Sequence, residues 1–107
     1  MSKLSEKKWM KFSLGFQNDI VMGQAFLKGE EKRFLALGLA GEVGEVCNLL
    51  KKDWRGDYIE KELIQEEIAD CFVYLSLLAV KMDMDDIDSH IEAKLKKVQK
   101  RMEEEDK

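Results

Sequence analysis

With 107 residues, 45% of them hydrophobic, 37% charged and none proline, the chain is long enough for one modest core and too apolar to be disordered. Its net charge of −4 and pI near 5.1 exclude the broad basic surface that non-specific nucleic-acid binding requires. The longest apolar run, Cys71 to Val80, is about half of a membrane span, and two cysteines without zinc spacing or a signal peptide read as reduced, packed thiols of a cytoplasmic protein.

These totals predict a single all-α domain over residues 1–107. Leu4 to Val21 carries Trp9, Phe12, Leu14, Phe16 and Ile20 at near-helical spacing, interrupted by Gly15, and is expected to form a first helix with its aromatics in the core. Met22 to Glu30 holds two glycines and is expected to turn, with Gln24 to Leu27 as a short helical piece. From Glu31 to Lys52 the residues Phe34, Leu35, Leu37, Leu39, Val43, Val46, Leu49 and Leu50 give a broad apolar face, and Lys51 and Lys52 suit the negative end of a helix dipole. Gly38, Gly41 and Gly44 each cost a helix about 1 kcal/mol against alanine, so a neighbouring helix or a ligand is expected to approach the backbone there. Asp53 to Asp57, with Gly56, reads as a loop.

A third helix is expected from Tyr58 to Lys81. Between Ile68 and Val80 it is apolar almost all round and must be covered on every side, which points to a four-helix, bundle-like protomer completed by dimerisation. Asp83 or Asp85 is expected to cap a fourth helix running to Met102, with a frayed tail from Glu103 to Lys107.

Two stretches carry chemistry. Gly38-Leu-Ala-Gly-Glu-Val-Gly-Glu-Val-Cys47 and Glu66-Glu-Ile-Ala-Asp70 each hold two acids three residues apart among small or apolar neighbours. Glu42 with Glu45, and Glu67 with Asp70, therefore project from one face of their helices. Carboxylates gathered near a core repel one another and lose hydration, so they need protons or a cation, and a hard divalent ion meets that need. Mg²⁺, with Mn²⁺ as a substitute, takes oxygen ligands and completes its shell with waters and substrate phosphates. Di-iron chemistry would call for Glu-x-x-His pairs, whereas the single histidine, His90, follows Ile87 at that spacing and reads as an exposed residue. Ser76 and Cys71 read as packing residues, and no phosphate-binding glycine loop is present. On the fourth helix Lys94, Lys97, Lys100 and Arg101 recur at roughly helical intervals, so some of them are placed to meet phosphates.

In these motifs the sequence resembles the MazG-like family of all-α nucleoside triphosphate pyrophosphohydrolases. The family pattern is ExxE, a spacer, then ExxD; here it reads Glu42-Val-Gly-Glu45, 21 residues, and Glu67-Ile-Ala-Asp70, followed by a helix with Lys94. The resemblance implies Mg²⁺-dependent hydrolysis between the α and β phosphates, giving monophosphate and pyrophosphate, in the role of clearing surplus or non-canonical dNTPs. It makes Glu42, Glu45, Glu67 and Asp70 the metal ligands and catalytic acids, one glutamate also handling the attacking water. It makes Tyr74 and Lys94 nucleotide contacts; Lys97 and Arg101, from the same basic stripe as Lys94, and Trp54, in the loop and able to stack on a base, are the further substrate-binding candidates. Relatives often place an asparagine four residues after the lysine, where this chain has Val98. They form dimers, often paired into tetramers, and a homotetramer is expected here. Two other readings of the same residues are a pyrophosphohydrolase of a phosphoribosyl-nucleotide and a non-catalytic oligomerisation module with a structural metal site.

Overall fold

The computed structural model describes residues 3–13 and 31–106. Among them the chain is all-α, with no strand. A 3-10 turn, Leu4–Glu6, leads into α1, helical over residues 8–13, and is followed by α2 (Glu31–Trp54), α3 (Lys61–Lys81) and α4 (Ile87–Glu105). The sequence predicted one continuous first helix from Leu4. The chain instead breaks at Lys7, because the N-terminal turn is held elsewhere. Leu4 donates its N–H to the Asp85 carbonyl at 3.0 Å, and the Ser5 N–H and hydroxyl both donate to the Asp85 carboxylate, at 2.7 and 2.6 Å. The remainder of the predicted first helix, and the turn with its Gln24 to Leu27 piece, lie outside the described residues.

α2 and α3 form an antiparallel hairpin whose register can be read rung by rung. Gly38 faces Tyr74, Glu42 lies by Asp70 and Glu67, and Glu45 lies by Glu67, so each step forward on α2 is matched by an equal step back on α3. The buried core, Leu4, Met10, Leu35, Leu77 and Ala79, sits at the open end of this hairpin. Val73, Tyr74, Leu78, Met84 and Ile87 pack around it. Trp9 and Phe12, expected inside, are 43% and 75% exposed. Leu4 and Met10 fill the core in their place, because the Asp85 clamp sets which face of the N-terminal segment is turned inward. Phe16 is outside the described residues.

Both helices of the hairpin end on the same hydrogen-bond motif, in which a left-handed residue lets the chain fold back on the last carbonyls. At the end of α2 the left-handed residue is Gly56, φ +105°, with Gly56 N–H bonded to Asp53 O at 3.1 Å and Asp57 N–H to Lys52 O at 3.0 Å. At the end of α3 it is Asp83, φ +64°, with Asp83 N–H on Val80 O at 3.1 Å and Met84 N–H on Ala79 O at 2.9 Å. Gly56 does turn the chain as expected, but α2 continues through Trp54, and α3 begins at Lys61 rather than Tyr58. Neither expected aspartate caps α4: Asp83 closes α3 and Asp85 is engaged by Ser5. Asp86 is the cap, accepting from the Ser89 N–H at 3.4 Å and hydroxyl at 2.8 Å, and those bonds hold its carboxyl below the usual range. The tail expected to fray is helical through Glu105.

Ile87 packs on the core and Ile91 lines a groove with α3, but beyond them α4 packs closely on no other described helix. The radius of gyration is 17.3 Å, against about 13 Å for a compact chain of this length. No helix among the described residues is long and apolar enough to cross a membrane.

Candidate metal centre

The acid pairs sit midway along the hairpin, where a helix period of about 3.6 residues turns Glu42 and Glu45 on α2, and Glu67 and Asp70 on α3, toward the seam between them. Carboxylate oxygens of Glu42, Glu67 and Asp70 lie within 4.8 Å of one another. Glu42 and Glu67 are half-buried and Asp70 is exposed. Glu45 lies beside Glu67, and its carboxyl is the largest cause of a Glu67 carboxyl pushed up to about 7 from 4.5. Burial and the neighbouring Glu42 carboxyl push the same way. Every one of these causes raises it, so no lysine or arginine among the described residues relieves the repulsion.

The polar inventory shows what the cluster lacks. Oε2 of Glu42 and Oε2 of Glu67 are buried without a hydrogen-bond partner, and a buried acceptor left unpaired costs about 1–3 kcal/mol. Hard oxygen donors, converging from two helices, with orphaned lone pairs and no counter-cation, fit a divalent ion of the Mg²⁺ class. His90 is exposed on α4, as expected, and takes no part.

Of the other candidates, Tyr74 lies one turn beyond Asp70, half-buried, with its ring laid on Gly38. A Cβ added at Gly38 would collide with the ring's Cε1 and come within 2.9 Å of its Cδ1. Close approach was expected at three glycines; it occurs at this one. Gly41 and Gly44 have nothing within 4 Å of an added Cβ, because no described side chain crosses α2 there. Trp54, expected in a loop, is the last residue of α2 and 89% exposed. It stands nine residues past Glu45, about 13 Å along the axis.

Lys94, Lys97 and Arg101 are exposed on α4. Lys94 lines a shallow cleft with Met84, Ile87, His90, Ile91 and Leu95. No lysine or arginine is among the groups that shift the Glu67 carboxyl, so the three cations are not gathered with the acids and Tyr74. Cys71 is half-buried, and burial, followed by the charges of Glu42 and Asp70, pushes its thiol up. Cys47 is exposed rather than packed. Sequence reasoning missed the Ser5–Asp85 clamp, which joins residues 80 apart and leaves no periodic signal.

Comparison with known proteins adds one finding. The family model described as the MazG nucleotide pyrophosphohydrolase domain matches residues 30–104. No curated protein and no solved structure matches the chain. The matched span covers α2, α3 and α4 with all four acids, and family membership implies a nucleotide substrate. By this match the chain belongs to the MazG nucleotide pyrophosphohydrolase family.

Proposed function

We propose that the protein hydrolyses (deoxy)nucleoside triphosphates to the monophosphate and pyrophosphate, clearing surplus or non-canonical nucleotides in the cytoplasm. The observation that carries this reading is the convergence of Glu42, Glu67 and Asp70 oxygens within 4.8 Å, two of the residues having a buried oxygen without a partner. Glu42, Glu45, Glu67 and Asp70 would hold Mg²⁺, or Mn²⁺ in its place. Such an ion supplies charge neutralisation and polarisation at the phosphate oxygens.

The chain's own part is positioning and proton handling. The acids fix where the triphosphate lies, and one of the glutamates takes the proton of the attacking water. The water oxygen bonds to the α-phosphorus, the bond from that phosphorus to the α,β-bridging oxygen breaks, and pyrophosphate leaves with the bridging oxygen. Tyr74, seated on Gly38, edges the site beside Asp70 and is positioned to touch the nucleotide, and Lys94 with Lys97 and Arg101 would meet the phosphates.

Purified protein incubated with a panel of dNTPs and NTPs plus Mg²⁺ tests this directly. Pyrophosphate and monophosphate, resolved by chromatography, are expected. Orthophosphate with diphosphate, or no turnover of any nucleotide, would overturn the proposal.

A further inference from the structure

The acid cluster opens on one flank of the hairpin, and a cation of α2 shares that flank. Glu42 and Glu67 lie half-buried in the seam, whereas Glu45 and Asp70, each three residues further along its helix, are exposed. In an antiparallel pair those two steps turn to the same side of the seam, at about 100° per residue. The basic residues of α2 are Lys32, Arg33, Lys51 and Lys52. Lys52 follows Glu45 by seven residues, two turns less about 20°, so it repeats the direction of Glu45, and the other three point at least about 120° away from it. Burial agrees with the phase, since Lys52 is half-buried while its neighbours Lys51 and Asp53 are exposed. Its Cα stands about 10 Å along the axis from that of Glu45. Side chains of a helix lean toward its N-terminus, so the four-carbon stem carries the ammonium back toward the acids. The distance still keeps it from pairing with them. Lys52 is not among the groups that shift Glu67, and it forms no ion pair among the described residues. A cation held just short of the carboxylates, on the side where they open, suits a ligand whose negative charge extends beyond them.

We infer that Lys52 receives the terminal phosphate of the substrate, so that the polyphosphate lies along this flank from the acids toward the closed end of the hairpin. The nucleoside then extends the other way, toward Tyr74, one turn beyond Asp70 on the open side. With the α-phosphate at the acids, a chain of three phosphates reaches Lys52 and a chain of two ends short of it. Lys52 thereby sets a preference for triphosphates over diphosphates, and it holds the pyrophosphate that leaves. The terminal phosphate carries the same charge before and during cleavage of the α,β bond, so the contact strengthens binding of the ground and transition states alike. The inference rests on the hydrolase reading for the identity of this ligand.

Two measurements test it: steady-state kinetics with a dNTP, the matching dNDP serving as competitive inhibitor, and calorimetric titration of the protein with pyrophosphate in Mg²⁺. Lys52→Met keeps an unbranched stem and removes the charge. It should raise KM for the triphosphate about tenfold, the loss expected for one hydrogen bond to a charged group, and leave kcat within about twofold. Pyrophosphate affinity should fall by a similar factor, and inhibition by the diphosphate should hardly change. Lys52→Arg should restore most of the loss. Lys51→Met, which removes the same charge from the same turn on another face, should change none of these values. With wild-type protein active, an unchanged KM in Lys52→Met, equal losses for triphosphate and diphosphate, or equal losses at Lys51 and Lys52 would overturn the inference. Wild-type protein that hydrolyses no nucleotide would discard the hydrolase reading instead. The pyrophosphate titration then decides about Lys52: a loss confined to Lys52→Met retains it as a phosphate contact, and no loss removes it.

Discussion

The α2–α3 hairpin and α4 are built from similar amounts of helix but held by different means. The hairpin is held by partners within the chain, Gly38 against Tyr74 and Leu35 with Leu77 in the core, and it carries the mutually repelling acids between them. α4 is anchored at its start, and Leu95 and Met102 farther along it are mostly exposed. The difference separates two roles that a sequence motif runs together. The hairpin can fix the geometry of an acid cluster alone, whereas a helix tied down at one end positions charges only once something covers its other end.

The largest expected effect tests the hairpin's role. Glu42→Gln or Asp70→Asn should lower pyrophosphate release at least about a hundredfold, since even the supporting partners of metal ligands are worth 10–100-fold. The helical circular dichroism should not change. Unaltered turnover would mean that the cluster is not the site. Next, Leu35→Ala should cost about 2–4 kcal/mol in urea unfolding at every protein concentration, as for other buried leucines. Leu95→Ala, at a side chain 61% exposed, should instead stay within about 0.5 kcal/mol of wild type in the same measurement. A cost at Leu95 as large as that at Leu35 would collapse the contrast.

Gly38→Ala should destabilise the fold by about 1–3 kcal/mol through overpacking against Tyr74, and the double variant with Tyr74→Leu should recover part of that. Equal stability of Gly38→Ala and wild type would show that the ring moves freely.

The clamp between the N-terminal turn and Asp85 gives a pH signature. The Ser5 hydroxyl and N–H hold the Asp85 carboxyl below its ordinary 3.8, so its contribution is present above about that pH and is lost as pH falls through the folded value. Asp85→Asn should therefore lower the thermal midpoint at neutral pH, and the gap from wild type should close below about pH 4. A gap that persists in acid would assign the effect to packing. The smallest expected change is Asp83→Gly, which relieves a left-handed non-glycine residue and should stabilise by about 0.5–1 kcal/mol in thermal unfolding. A loss of stability would mean that the Asp83 side chain itself holds the end of α3.

Much of the hairpin was legible because its signals are local. Periodic apolar residues placed α2 and α3, Gly56 announced its own turn, and two acids three apart on each helix could only share a face. The cluster's occupancy of the seam followed from that spacing. What was not legible depends on contacts distant in sequence or on unusual residues in ordinary roles. Asp83 ends α3 where glycine is the usual sign, and that displaced the cap of α4 to Asp86. The Ser5 bonds to Asp85 decided which N-terminal side chains are buried, so Leu4 and Met10 took places that periodicity offered to Trp9 and Phe12. Lys94, Lys97 and Arg101 are on the expected helix, but no pattern within one chain says where that helix lies relative to the acids.

Gly38 sets a dimension as well as a contact. With no side chain at that position, the Tyr74 ring takes the space where a Cβ would stand and so limits how far apart the two helices sit. Because the antiparallel rungs are coupled, the same gap governs how near the Glu42 oxygens come to those of Glu67 and Asp70 one turn away. Glycine at 38 thus works as a gauge block for the carboxylates. Were the carboxylates to hold a divalent ion as proposed, widening the gap by a single methyl group should change which divalent radius they prefer as well as the stability of the hairpin.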